Sequence, residues 1–149
     1  MGEHLINGVL ISKQKVIPVK GGNVMHAIKA TDSGYEGFGE AYFSMAEYGV
    51  VKGWKLHREM TLNILVPVGS IRFVLFDDRP YSKSFNCIQE IVLSPSHYKR
   101  LTVPPMVWVA FQGLSQDTSL LLNVANIPHC PDEAVKKELD KIEFNWKNS

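Results

Sequence analysis

A dense group of ionisable residues lies in the segment GVVKGWKLHREM, residues 49–60. If this segment is an extended strand, Lys55, His57 and Glu59 share one face, because side chains alternate with a period of two residues. An imidazole beside an ammonium group can remove a proton next to a carbonyl while the cation stabilises the enolate. The alternative interpretation is an edge strand whose charged face is simply exposed to water.

His57 could instead be a metal ligand. Metal sites in proteins need three or four ligands close together. The residue two positions before His57 is Lys55, and both His97 and His129 are isolated in the sequence. We therefore expect neither a catalytic metal nor another cofactor.

Other polar and aromatic residues could line a ligand pocket. Asn63 and Asn123 lie in the middle of apolar segments. A buried amide needs a hydrogen-bond partner, so each is either a ligand contact or part of an internal network. Large aromatic residues could line the pocket or form ordinary core, and these are Tyr42, Trp54, Trp108 and Phe111.

Most of the chain has the periodicity of short β-strands. Strands are predicted over residues 15–19, 38–44, 61–68, 71–76, 87–93, 101–103, 107–111 and 120–124. Val68-Gly69-Ser70 is typical of a tight hairpin. Short strands at regular spacing with turn residues between them predict an all-β sandwich or barrel. A short C-terminal helix is predicted over residues 131–139, because a proline followed by two acidic residues suits a helix N-terminus.

Length, composition and charge are those of an ordinary globular domain. The 149 residues fit a single domain, 1–149, and a hydrophobic fraction of 45% is enough for a core. A formal net charge of +1 gives no electrostatic reason to expect nucleic acid or a membrane surface as partner. No apolar run approaches the ~18 residues of a membrane span, so we expect a cytoplasmic protein. Cys87 and Cys130 form no ligand motif, and we expect both thiols to be at least half-buried.

The order of several segments resembles that of a known family. The segments are GFGEAYFS, GVVKGWKLH, MTLNILVPVGSIRFVLFDDR, LTVPPMVW and LLLNVANIPHCPDEA. From about residue 24 to residue 146 the chain is similar to the dTDP-4-dehydrorhamnose 3,5-epimerase family and related sugar-nucleotide cupins. The resemblance implies a dimeric, metal-free jelly-roll barrel that acts on 4-keto-6-deoxy sugar nucleotides in surface polysaccharide biosynthesis. It also implies that a histidine removes a proton beside the keto group and a tyrosine returns one on the opposite face.

The chain departs from the family pattern at the positions that carry the chemistry. The family's base histidine falls on Lys55, and its acid tyrosine falls on Leu122 or Asn123. In the family, the aspartate that supports the catalytic residues lies in a C-terminal extension. Glu40, Ser44 and Lys52 fall at positions where the family contacts sugar or phosphate.

The resemblance therefore implies a cupin-type epimerase or isomerase of a 4-keto-6-deoxy nucleotide-diphosphate sugar. His57 is the predicted base, with Lys55 as enolate stabiliser or alternative base. The predicted substrate-binding residues are Glu40, Ser44, Lys52, Asn63, Arg72 and Asn123. Arg79 is a weaker phosphate candidate that we expect to be structural. The alternative is a catalytically inactive sugar-nucleotide-binding cupin.

A second copy of the chain is the predicted protein partner. A jelly roll leaves strand edges that must be covered, charged or paired. Residues 5–19 are apolar enough to cross onto a partner's sheet, and we therefore expect a homodimer.

Overall fold

The computed structural model describes residues 6–147, and within them the chain forms twelve β-strands and two short 3-10 turns. The strands are β1 (Leu10–Lys13), β2 (Val16–Ile17), β3 (Val24–Met25), β4 (Glu40–Ala46), β5 (Val51–His57), β6 (Leu62–Val68), β7 (Ile71–Asp77), β8 (Ile88–Leu93), β9 (Lys99–Val103), β10 (Val107–Gly113), β11 (Ser119–Ala125) and β12 (Ala134–Lys136). All eight of the predicted strands are confirmed, with shifts of a few residues at their ends.

Ten of these strands form two five-stranded antiparallel sheets. Sheet I has the order β1-β9-β6-β11-β4, and sheet II has the order β12-β5-β10-β7-β8. The remaining two strands, β2 and β3, form a small separate hairpin. The apolar faces of the two sheets pack on one another, as in other β-sandwiches. The predicted all-β jelly roll is thus confirmed as two facing sheets.

Residues from both sheets form the main core between them. Ile64 and Leu121 of sheet I pack in one cluster with Phe73 and Leu75 of sheet II. These side chains point inward because each strand alternates its faces, and burial removes their apolar surface from water.

The turn at Val68-Gly69-Ser70 differs from the predicted hairpin. Gly69 adopts a φ of 83°, and a Cβ there would lie 2.2 Å from Ser119 Oγ, so glycine is required at this position. The flanking strands β6 and β7 belong to different sheets and do not pair with each other. The chain therefore crosses at Gly69 from sheet I to sheet II.

The C-terminal helix is a single 3-10 turn, Pro131–Glu133, with Pro131 at its start as predicted. The predicted span of 131–139 was too long, because the chain continues as β12 and pairs with the edge of β5. A second 3-10 turn, Leu139–Lys141, follows. Pairing with an open sheet edge outweighs the weak local preference for helix.

The last described residues cover the outer face of sheet II. Ile142 joins a second buried cluster with Trp54 and Trp108, and Phe144 and Trp146 pack against it. The two internal tryptophans are therefore core residues on the face opposite the sandwich interior.

Two strands of the N-terminal segment pair within the chain itself, and crossing of this segment onto a partner's sheet stays a prediction. Leu10–Lys13 pairs with β9 of its own chain, and Val16–Ile17 pairs with β3. Leu5 lies outside the described residues.

Cys87 is half-buried as expected, whereas Cys130 is exposed, since it precedes the surface turn at Pro131. None of the helical segments described is long and apolar enough to cross a membrane.

Candidate active site

A cavity of about 550 Å³ opens between the two sheets. Its volume is in the range of small-molecule sites. The apolar part of the wall comes from Met60, Leu62, Ile64, Phe73, Val109, Phe111 and Leu121. The polar part comes from Glu40, Tyr42, Ser44, Lys52, Lys55, His57, Asn123, His129 and Lys136. Mostly apolar walls with a few polar groups are typical of a binding pocket.

Strand β5 places Lys55 and His57 in this cavity, as their spacing predicts. Glu59 does not join them. The strand ends at His57, so the alternation stops there, and Glu59 is exposed outside the cavity. The carboxylate beside the imidazole comes instead from Glu133.

His57 and Glu133 form a buried pair. The Nδ1 atom of His57 lies 2.7 Å from Oε1 of Glu133, and the two residues are only 8% and 7% exposed. Oε2 of Glu133 accepts the backbone N–H groups of Glu59 and Met60 at 3.0 and 2.8 Å. Both carboxylate oxygens are therefore held by donors.

These contacts determine the ionisation state of Glu133. Burial opposes ionisation, yet the hydrogen bonds from His57, Glu59 and Met60 outweigh it and hold the pKa of Glu133 below its ordinary value. An ionised carboxylate accepts from Nδ1–H of His57, which leaves Nε2 as the nitrogen that can take a proton in the cavity. His57 thus has the arrangement of an oriented general base.

Local chain geometry brings Glu133 to this position. Ala134 is the cross-strand partner of His57, and the N–H of Arg58 donates to the carbonyl of Glu133 at 2.9 Å. The 3-10 turn Pro131–Glu133 then directs the last side chain of the turn inward. Glu133 falls within the predicted helix 131–139, but in the structure the pairing of β12 with β5 holds its carboxylate beside His57.

The opposite wall is formed by β4, whose residues Glu40, Tyr42 and Ser44 alternate into the cavity. Lys52 Nζ donates to the carbonyl of Met45 at 2.7 Å and to Ser44 Oγ at 3.3 Å. Glu40 Oε1 accepts the backbone N–H of His129 at 3.1 Å. The structure therefore gathers Glu40, Ser44 and Lys52 at one cavity, as the sequence predicts.

The two asparagines separate in the structure. Asn123 lines the cavity, whereas Asn63 points to the outer face of sheet I, where it bonds to the carbonyl of Gly34 at 2.9 Å and to Thr102 Oγ1 at 2.6 Å. The prediction that Asn63 contacts substrate is wrong. Its neighbours on β6, Leu62 and Ile64, occupy the inner face, so strand alternation turns Asn63 outward.

The arginines also lie outside the cavity. Arg72 alternates with the inward Ile71 and Phe73, and its guanidinium contacts Gln112, Glu90 and the carbonyl of Trp146 on the outer face of sheet II. The predicted role of Arg72 in substrate binding is therefore wrong.

Arg79 is structural, as expected. Its Nε atom lies 2.8 Å from Oδ1 of the buried Asp77. Burial opposes ionisation of Asp77, but the bonds from Arg79, Ser82 and Ser84 prevail and hold its pKa well below its ordinary value. This cluster stabilises the turn after β7.

The cavity also contains groups that the sequence did not single out as ligands. Lys136 and His129 line it from the C-terminal segment. Of the predicted aromatic residues, Tyr42 and Phe111 line the cavity and the tryptophans do not. Among residues 6–147 there is no group of three or more His, Cys, Asp or Glu side chains that could hold a metal ion.

A family model described as dTDP-4-dehydrorhamnose 3,5-epimerase matches residues 3–149. The crystal structure of a dTDP sugar isomerase from Desulfovibrio desulfuricans is 34% identical to the chain with a TM-score of 0.93, covering 97% of this chain and 94% of that one.

Two curated proteins are also similar. A probable low-salt glycan biosynthesis epimerase, Agl13 of Haloferax volcanii, is 30% identical over 84 residues, which are 56% of this chain and 54% of that protein. The match thus spans about half the length of that relative. A spore coat polysaccharide biosynthesis protein, SpsL of Bacillus subtilis, is 23% identical over 146 residues, covering 95% of this chain and 97% of that protein.

Proposed function

Because the chain belongs to the dTDP-4-dehydrorhamnose 3,5-epimerase family, we propose that it is an epimerase or isomerase of a 4-keto-6-deoxy nucleotide-diphosphate sugar in polysaccharide biosynthesis. The observation that carries this proposal is the pair of His57 and Glu133 at a cavity that also holds Lys55. The names of the two curated relatives, a glycan biosynthesis epimerase and a spore coat polysaccharide biosynthesis protein, support a role in polysaccharide biosynthesis.

The proposed reaction begins with proton removal beside the keto group. The ketone acidifies the neighbouring C–H bond, and Nε2 of His57 accepts the proton. Glu133 stabilises the imidazolium that results, since its carboxylate is ionised and already bonded to Nδ1. The ammonium group of Lys55 offsets the negative charge that develops on the enolate oxygen. Lys55 occupies the position of the family's base, and His57 performs that task two residues further along the same strand face.

The remaining cavity residues are proposed to hold the sugar and the diphosphate. Lys52 supplies a cation at the cavity wall, already oriented by Ser44 and Met45. Lys136 supplies a second cation from the edge strand β12. Glu40 and Ser44 offer acceptors for sugar hydroxyl groups. Two lysines suit a diphosphate, because ammonium groups bind phosphate oxygens as point charges.

Solvent deuterium exchange tests the proposed function. The protein would be incubated in D2O with a panel of dTDP-linked 4-keto-6-deoxyhexoses, and deuterium at the carbons beside the ketone would be followed by NMR. We expect exchange at one or both of these carbons. Binding of the nucleotide sugars without exchange would instead support a catalytically inactive binding protein.

We also propose that the protein is a homodimer that associates through β4. This strand is the edge of sheet I, and its outward residues Phe43 and Met45 are 65% and 62% exposed. An exposed apolar edge strand is a favourable surface for pairing with a second copy.

A further inference from the structure

Tyr42 presents a phenol to the cavity from the wall that faces His57. Tyr42 lies on β4 of sheet I, and His57 lies on β5 of sheet II. Both side chains line the same cavity. Facing sheets in a sandwich are about 10 Å apart. A sugar ring held between them would have the imidazole toward one face and the phenol toward the other.

Asn123 orients this phenol. Its Nδ2 atom donates to Oη of Tyr42 at 3.1 Å, and the two residues are cross-strand partners in the pairing of β11 with β4. Asn123 itself is only 2% exposed, so its amide is held in place. Because the phenol oxygen accepts this bond, the phenol's own proton remains available for a ligand. The same amide would stabilise the phenolate after that proton has been transferred.

The other polar residues of sheet I in the cavity are less suited to donate a proton to carbon. Glu40 acts as an acceptor toward the N–H of His129, and Ser44 accepts from Lys52. The amide of Asn123 does not release protons at neutral pH. Tyrosine is an established general acid in enzymes, which leaves Tyr42 as the suitable donor on this wall.

We propose that Tyr42 is the general acid that completes inversion, an assignment that rests on the proposed function. His57 takes the proton from one face, and the electron pair of the broken C–H bond delocalises into the carbonyl to form an enolate. The O–H bond of Tyr42 then breaks, and its proton bonds to the same carbon from the opposite face as the carbonyl re-forms. The imidazolium and the phenolate return to their starting states by proton exchange with water, so no redox partner is needed.

The test separates proton removal from inversion. Tyr42→Phe keeps the ring and removes only the hydroxyl. In D2O, with dTDP-4-keto-6-deoxyglucose as probe, we expect the variant to retain exchange beside the ketone, because His57 can return a deuteron to the face from which it took the proton. Formation of the inverted product should fall about 100-fold or more.

The matched control is Tyr48→Phe, which removes the hydroxyl of an exposed tyrosine just beyond β4 and outside the cavity lining. We expect it to leave both rates unchanged. Inversion by Tyr42→Phe at the wild-type rate would overturn the assignment and leave the proposed function intact. Equal losses of exchange and inversion would also overturn it, because the hydroxyl would then act before the second proton transfer. If the wild-type protein itself neither exchanged nor inverted the probe, the proposed function would fail, and the role of Tyr42 with it.

Discussion

The imidazole of His57 and the carboxylate of Glu133 are 2.7 Å apart, although 76 positions separate the two residues in the chain. The contact exists because β12 pairs with β5 and sets Ala134 opposite His57. The pair is buried at a cavity whose other walls carry lysines and a phenol. It therefore defines which nitrogen of the imidazole can react.

Glu133→Gln tests the pair. A glutamine has one acceptor oxygen, so it cannot serve both His57 and the two backbone N–H groups, and it cannot stabilise the imidazolium by charge. We expect kcat to fall about 100-fold, as for other partners that orient a reactive group. Loss of one buried acceptor should also reduce the free energy of unfolding by about 1–3 kcal/mol.

Rates for this variant should be measured per folded molecule, with urea unfolding in parallel. Glu138→Gln is the control, because Glu138 is an exposed carboxylate in the same C-terminal segment. Wild-type turnover in Glu133→Gln would show that the pair is structural only.

Lys55→Ala tests the cation that is proposed to stabilise the enolate. We expect kcat to decrease about 100-fold through loss of enolate stabilisation, and KM for the nucleotide sugar to rise as well. Steady-state kinetics on the exchanging substrate give both values. Lys15→Ala removes an exposed lysine outside the cavity lining and should change neither kcat nor KM. If Lys55→Ala altered KM alone, Lys55 would serve binding and not the chemical step.

Some of this site could be predicted from the sequence. Lys55 and His57 were placed on one cavity face because β5 alternates locally and both residues belong to one strand. Asn63 and Arg72 were misplaced because their strands are apolar on both faces, so hydrophobic alternation does not reveal which face points inward.

Glu133 could not have been identified as the partner of His57 from local patterns. Its segment, PDEA, has the residue types of a helix N-terminus, and only the pairing of β12 with β5 turns its carboxylate inward. The crossing from sheet I to sheet II at Gly69 could not be predicted locally either. A glycine turn between two apolar strands is compatible with both a hairpin and a crossover, and only the complete sheet topology distinguishes them.

Asp77 should make the free energy of unfolding depend on pH. Its pKa is lowered in the folded state, so its contribution is fully present above about pH 5 and is lost as pH falls below the unfolded value of about 4. Asp77→Asn leaves Arg79 without its buried partner and should cost about 3 kcal/mol at neutral pH. Urea unfolding at several pH values measures this. The difference between wild type and variant should shrink below pH 4, and a difference that stayed constant would contradict the assignment.

The homodimer prediction is tested by sedimentation equilibrium at micromolar concentration. We expect a mass near twice the 16.8 kDa of one chain. Phe43→Asp combined with Met45→Asp should yield monomers, because the charges would face the partner's edge strand. Val92→Asp, on the exposed edge strand β8 of sheet II, is the control and should remain dimeric. A wild-type mass of one chain would refute the dimer.

The central claim is that Nε2 of His57 removes the proton beside the ketone, and His57→Asn tests it most directly. The asparagine amide can replace Nδ1 as a donor to Glu133, so the buried carboxylate keeps a partner while Nε2 is lost. Solvent deuterium exchange into dTDP-4-keto-6-deoxyglucose would be compared for wild type, His57→Asn and His97→Asn, the last being an exposed histidine outside the cavity lining. We expect exchange to fall about 100-fold to 10,000-fold in His57→Asn only, with nearly unchanged affinity for dTDP. Exchange by His57→Asn at the wild-type rate would contradict the account and make Lys55 the base.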